Sequence, residues 1–269
     1  MKSIERLEHE LGRPIPLTPL ADLHITKVAY HAVGGSVQAL SLRGCGLRQV
    51  PEALWQMTSL EVLSLGENEL TQLPANISEL RKLRQFYLFN NPIAGLPDEI
   101  TSLVDLEILD IGHNALTSIP EGMGSLKQLR FLYVSDNQLT SLPDSLGELE
   151  SLIYLSMTDN RFTELPEAVC RLRALRELRI YNNQLARLPD SIGNLRELRE
   201  LHARGNRLTE LPETIGELQN LYYLDLRTNL LAELPKSIGK LLELRKLDLR
   251  WNRFVSPPTG INPTCAIYL

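Results

Sequence analysis

From Val37 onward, leucines and polar residues return at one fixed spacing. LEVLSLGENELTQLPANISELRK (60–82) comes back as LEILDIGHNALTSIPEGMGSLKQ (106–128) and as LYYLDLRTNLLAELPKSIGKLLE (221–243). The period is 23 residues, and it runs through ten units without insertion or deletion. Each unit reads LxxLxLxxNxLxxLPxxIxxLxx. The first position is Leu in nine units and Val37 in the other; the fourth is Leu in nine and Phe86 in the other. Proline stands in all ten, from Pro51 to Pro258, and asparagine in nine, from Asn68 to Asn252, with Cys45 in the first unit.

These columns predict the elements. Alternating apolar residues in LxLxx mark a strand with one buried face. The chain then turns, and a buried Asn at the turn can bond the backbone of adjacent units with both ends of its amide. Pro fixes φ and opens a short helical or 3₁₀ segment, whose Ile and Leu pack back on the strand layer. One unit cannot bury its own apolar face, so neighbours must stack.

The pattern resembles the leucine-rich repeat family, in particular the 23-residue "LP" class of Ras-suppressor, Scribble or Erbin type and of many bacterial proteins. The resemblance implies an α/β solenoid, a horseshoe with a parallel sheet on its concave face and short helical or 3₁₀ segments on its convex face. It also implies a partner-binding scaffold rather than an enzyme. We read 37–266 as ten repeats. Residues 1–36 form an N-terminal cap, a short helix carrying Ile4, Leu7 and Leu11 on one face, followed by an extended RPIPLTPL stretch. Residues 259–269 form a C-terminal cap in which CAIYL adds a closing strand.

Composition narrows the function. Net charge is −5 and the sequence pI about 5.6, which gives no global reason to expect nucleic acid or an anionic membrane as partner. The N-terminal MKSIERLEHELGRP has no apolar core of the signal-peptide kind, and no stretch approaches the roughly 18 apolar residues of a membrane span. Three scattered cysteines, Cys45, Cys170 and Cys265, suggest no disulfide framework, so a reducing, cytoplasmic setting is the expectation. Delivery of a bacterial protein into a host cell is compatible with it.

Chemistry is sparse. His113 and His202 are four strands apart, about 19 Å at roughly 4.8 Å per strand, too far to share an ion. Cys45 takes an Asn-ladder place, and Cys170 is read as a surface or semi-buried thiol. No glycine loop for phosphate and no serine nucleophile motif is found. Asp225 and Asp248 share a column on adjacent strands, but Arg227 and Arg250 follow two residues on and predict a salt-bridge lattice. We therefore expect no catalytic residue, no metal and no cofactor.

Positions 3, 5, 7 and 8 of each unit should face out of the concave sheet. Eight of these forty are aromatic: Tyr87, Phe89, Phe131, Tyr133, Tyr154, Tyr181, Tyr223 and Trp251, against 6% aromatic residues in the whole chain. Strand preference alone would enrich inward positions 4 and 6 as well, where only Phe86 is aromatic. The first two units show small residues there, Ala39, Ser41, Gly44, Ser64 and Gly66. The last four show Arg179, Arg204, Arg227 and Arg250, with His202 among them; ten basic residues face four acids over that region. The expected site is this concave face, its aromatics anchoring another protein and its arginines meeting an acidic segment of it. The chain is expected to be a monomer. A recognition arm of a bacterial effector or signalling protein is the alternative, and polyanion or nucleic-acid binding through the arginines a weaker one, since overall positive charge is lacking.

Overall fold

The computed structural model of the chain describes residues 2–23 and 26–269. It divides into two compact units, Met1–Tyr133 and Val134–Leu269.

In the first unit a helix, α1 (Lys2–Leu11), buries Ile4 and Leu7. Glu10 on its last turn accepts a hydrogen bond from the Ala53 N–H (3.1 Å), and Glu8 accepts one from the Ile15 N–H (2.7 Å). Strands β1 (Val28–Val33) and β2 (Ser36–Leu42) form an antiparallel hairpin, and β3 (Val62–Ser64), β4 (Gln85–Tyr87), β5 (Ile108–Asp110) and β6 (Phe131–Tyr133) follow in parallel, each beside its predecessor. Strand β1 is an element that the repeat pattern did not foresee. Its turn is Gly34–Gly35, both with positive φ (57° and 81°), the backbone that a two-residue hairpin loop requires. The outer edge of β1 is met by the extended segment before it: the Thr18 N–H donates to the Tyr30 carbonyl (2.9 Å) and the Tyr30 N–H to that of Pro16 (3.0 Å). The sheet edge is thereby covered.

The second unit carries β7 (Tyr154–Ser156), β8 (Glu177–Arg179), β9 (Glu200–His202), β10 (Tyr223–Asp225), β11 (Lys246–Asp248) and β12 (Ala266–Tyr268). All pair in parallel and in sequence order, with strict register such as Glu177 beside Glu200 and Asp225 beside His202.

Both units repeat one construction. The strand's inward leucines are fully buried, as are the Ile and Leu of the return segment. The return is a 3₁₀ turn that begins at the LP proline: the carbonyl of Pro189, for example, accepts from the Ile192 N–H (3.0 Å). Each Asn spans two turns. Asn183 accepts from the Phe162 N–H (3.1 Å) and donates to the carbonyls of Met157, Ile180 and Tyr181. Position 8, just after each strand, is left-handed in all ten units, from Gly44 (φ 66°) to Trp251 (φ 59°). For a residue as bulky as Trp251 that backbone costs on the order of 1–2 kcal/mol.

Cys170 is buried, at 1% exposure, rather than a surface or semi-buried thiol. Its column explains this. Glycine stands there in neighbouring units because the next repeat comes close: a Cβ on Gly216 would lie 2.4 Å from the Ser237 carbonyl oxygen. Cys170 fills the same inner place, and burial pushes its thiol up to about 11, moderated by a hydrogen bond with Ser191, so it is a poor nucleophile.

Candidate functional site

The strands of each unit present their position 3, 5 and 7 side chains on an open sheet face. In the first unit this face is hollowed. Ser41 and Ser64 put little bulk on it, and Gly66 puts none. Phe89, one repeat further on, lies across Gly66: a Cβ there would sit 2.7 Å from the ring. The ring thus reaches back to the Arg43 guanidinium, 5.2 Å from its centroid. Arg43 pairs with Glu67, whose carboxyl is held low by hydrogen bonds from Arg43 and Lys27, while the buried Arg43 Nε has no hydrogen-bond partner among the described residues. Leu20 and Leu23, from the 3₁₀ turn Leu20–Asp22 and its end, close the far side. The result is a pocket of about 360 Å³ walled by Leu20, Leu23, Val62, Tyr87 and Phe89, within the size range of ligand pockets.

Next along this face Asp110 stands between Tyr87 and Tyr133 in register. Burial pushes its carboxyl up, against a hydrogen bond from the Gly112 N–H (3.0 Å) and the charge of His113. A carboxyl raised by folding favours the folded state while protonated, and that contribution disappears as pH rises through the raised value. At neutral pH the half-buried ion is a cost. Asp110→Asn keeps the acceptor and removes the charge, so its Tm should exceed that of the parent at pH 7, and thermal melts should show the gap shrinking as pH falls toward 3.8.

In the second unit the face is a lattice of acids, cations and rings. Arg227 grips Asp225 with two hydrogen bonds (2.9 and 2.6 Å), and Arg250 grips Asp248 likewise (2.9 and 2.7 Å). Arg227 also lies 3.5 Å from Asp248. Burial alone would raise the Asp248 carboxyl; hydrogen bonds from Arg250 and the charges of Arg250 and Arg227 outweigh it and hold it low. The Arg227 guanidinium is raised, first by its hydrogen bond to Asp225. This is the salt-bridge lattice expected for the two aspartates. It reaches further than expected, because Arg179 also pairs with Glu177 (2.6 Å). Of the four face arginines, Arg204 alone carries no ion pair among the described residues. The arginines are therefore largely engaged within the chain rather than free for an acidic segment.

The aromatics also differ from the expectation of exposed anchors. Only Trp251 is well exposed, at 68%; Tyr87, Phe89, Phe131, Tyr133, Tyr154, Tyr181 and Tyr223 are half-buried. Cations lie over most of them: Arg179 over Tyr154, Arg204 over Tyr181, Lys246 over Tyr223, Arg250 over Trp251 and Arg130 over Phe131, at 4.4–5.8 Å from the ring centroids. Such stacking holds rings and guanidiniums in fixed orientations.

His202 is turned toward two carboxylates, with Nε2 at 3.0 Å from Glu200 and 3.7 Å from Glu177, and the ring edge-on to Tyr223. One donor atom from each of the three lies within 4.8 Å of the others. Neither this group nor the pocket-lining Arg43, Leu20 and Leu23 was picked out from sequence. Pairing histidines only with histidines overlooked the carboxylates of the neighbouring strand.

Comparison with known proteins fits the geometry. The leucine-rich repeat region profile matches residues 76–156, 119–206 and 191–263, and a leucine rich repeat profile matches 35–93. The chain belongs to the leucine-rich repeat family. A plant peptide hormone receptor, RGFR1 in complex with RGF2, is 31% identical over 76% of this chain, with a TM-score of 0.67. The ectodomain of GASSHO1/SCHENGEN3 from Arabidopsis thaliana, in complex with CASPARIAN STRIP INTEGRITY FACTOR 2, is 29% identical over 94%, with a TM-score of 0.75. The Arabidopsis receptor kinase HAESA, in complex with the peptide hormone IDA and the co-receptor SERK1, is 26% identical over 83%, with a TM-score of 0.72. The chain spans 34%, 33% and 40% of those three chains. A search of curated proteins finds no match. No helix among the described residues is long and apolar enough to cross a membrane.

Proposed function

We propose that this protein is a non-enzymatic interaction scaffold that holds a polypeptide segment of a partner protein on its open sheet face. The pocket of the first unit carries the reading. Its small-residue floor, aromatic wall and buried guanidinium nitrogen form a concave apolar site with a polar handle, suited to one anchoring side chain of the partner. Phe131 and Tyr133 extend the contacts within the first unit, and Tyr154, Tyr181, Arg204, Tyr223 and Trp251 offer the second unit a contact surface of its own. The similar receptor structures, each in complex with a named peptide or protein factor, support this use of the fold. Three free cysteines suit a reducing compartment, and we place the protein in the cytoplasm. In a longer chain, the same face would serve as the recognition arm of an effector or signalling protein. Pairing of Arg179, Arg227 and Arg250 with acids of their own chain speaks against polyanion binding.

Selection of a random peptide library on the immobilised protein tests the proposal. Enriched peptides should bind the parent and lose at least tenfold in affinity to Phe89→Ala, which removes a wall. They should lose as much to Gly66→Ala, which drives the ring out of place, while the Tm of Phe89→Ala moves little. Peptides that bind both variants as well as the parent, or no enrichment at all, would overturn it.

A further inference from the structure

We infer that the second unit holds a site for a divalent transition-metal ion of the zinc type, made by Glu177, Glu200 and His202. This site is independent of the peptide pocket. Parallel pairing of β8 and β9 sets Glu177 directly beside Glu200, two like charges that the strand register forces together. Across this face an acid is followed two residues later by its own guanidinium: Glu177 by Arg179, Asp225 by Arg227, Asp248 by Arg250. Glu200 departs from the rule, and His202 stands in the arginine's place. Only Glu177 is bonded to a guanidinium, and the nitrogen facing both carboxylates belongs to an imidazole, a good transition-metal donor.

The spacing fits an ion. Bonds of about 2.0–2.2 Å in a tetrahedron give donor-to-donor edges of about 3.3–3.6 Å. The His202 Nε2 separations from Glu200 and Glu177, 3.0 and 3.7 Å, bracket that range. The surroundings hold the donors as well. The His202 side chain is only 14% exposed and sits edge-on to Tyr223, ring centroids 5.0 Å apart at 89°. The hydrogen bond from Arg179 Nε (2.6 Å) fixes the Glu177 carboxylate, as an outer group orients a metal ligand. Asp225, the cross-strand neighbour of His202, is occupied by Arg227 and leaves the three donors to themselves. Three protein ligands leave one coordination position open to solvent.

Titration of the full chain with Zn²⁺, and separately with Co²⁺, tests the site. One ion per chain is expected, together with the visible absorption of low-coordinate Co²⁺ and a Zn²⁺-dependent rise in Tm. His202→Ala and Glu200→Gln should each weaken binding at least tenfold and abolish the Co²⁺ signal, while His113→Ala changes neither. Both side chains lie on the sheet's outer face rather than in the leucine core, and an unchanged circular dichroism spectrum confirms that the variants fold. The inference is overturned if the parent shows no saturable binding at 100 μM ion, or if His202→Ala and Glu200→Gln bind as tightly as the parent.

Discussion

Asn183→Ala is expected to destabilise the protein by about 3–5 kcal/mol, one of the two largest effects of a single substitution here. Asn183 is 7% exposed and uses both ends of its amide. Its oxygen accepts from the Phe162 N–H, and its nitrogen donates to the carbonyls of Met157 and Ile180 at 3.0 and 3.2 Å. Alanine leaves these backbone groups buried with no water to replace the amide, and each unmet group costs about 1–3 kcal/mol. Asp in its place retains the acceptor but loses the donor and buries a charge, so Asn183→Asp should be as damaging at neutral pH. Urea unfolding of both variants checks this. A loss below 1 kcal/mol for Asn183→Ala would mean that water enters the turn.

Phe86→Ala should cost a comparable amount, about 3–5 kcal/mol. Phe86 is fully buried on β4, in the inward column where the other nine units carry Leu. Alanine would leave a cavity that the flanking strands cannot collapse into, because their register is fixed by Leu63 on one side and Leu109 on the other. Phe86→Leu restores the residue of the other units and should cost less than about 1.5 kcal/mol. The contrast between the two variants, read from denaturant midpoints at equal slope, separates loss of volume from loss of the aromatic ring. Equal costs would show that this column tolerates only the ring.

The repeat made most of the fold legible. A column of Leu or Asn states its place nine times over, and the Pro column ten. Strand β1 carries no repeat residue and was missed, although VGGSV between alternating apolar residues is a hairpin signal. The candidate site was legible in part. That Asp225 and Asp248 would be held by Arg227 and Arg250 followed from spacing along one strand. That Phe89 would cross Gly66 to meet Arg43 did not, since it depends on which way a ring turns over a missing side chain. The pocket also needs Leu20 and Leu23, whose approach to the sheet depends on how the residues before the hairpin fold over it. Burial of the aromatics escaped for a related reason. A column shows that a ring faces outward, but not that the next strand lays a guanidinium on top of it.

The asparagine ladder has a direction. Asn91 bonds Leu70 N–H and the Leu65 carbonyl, both in the repeat before it, and Asn206, Asn229 and Asn252 reach back in the same way. Each amide latches the turn that precedes it, so a repeat is locked by its successor. Shortening such an array is therefore not symmetrical. Removing repeats from the carboxyl end unlatches the turn that becomes last, whereas removing them from the amino end leaves every remaining latch closed. Fraying should start at the carboxyl-terminal side of any cut, and a shortened binder built on this frame is best trimmed from the other.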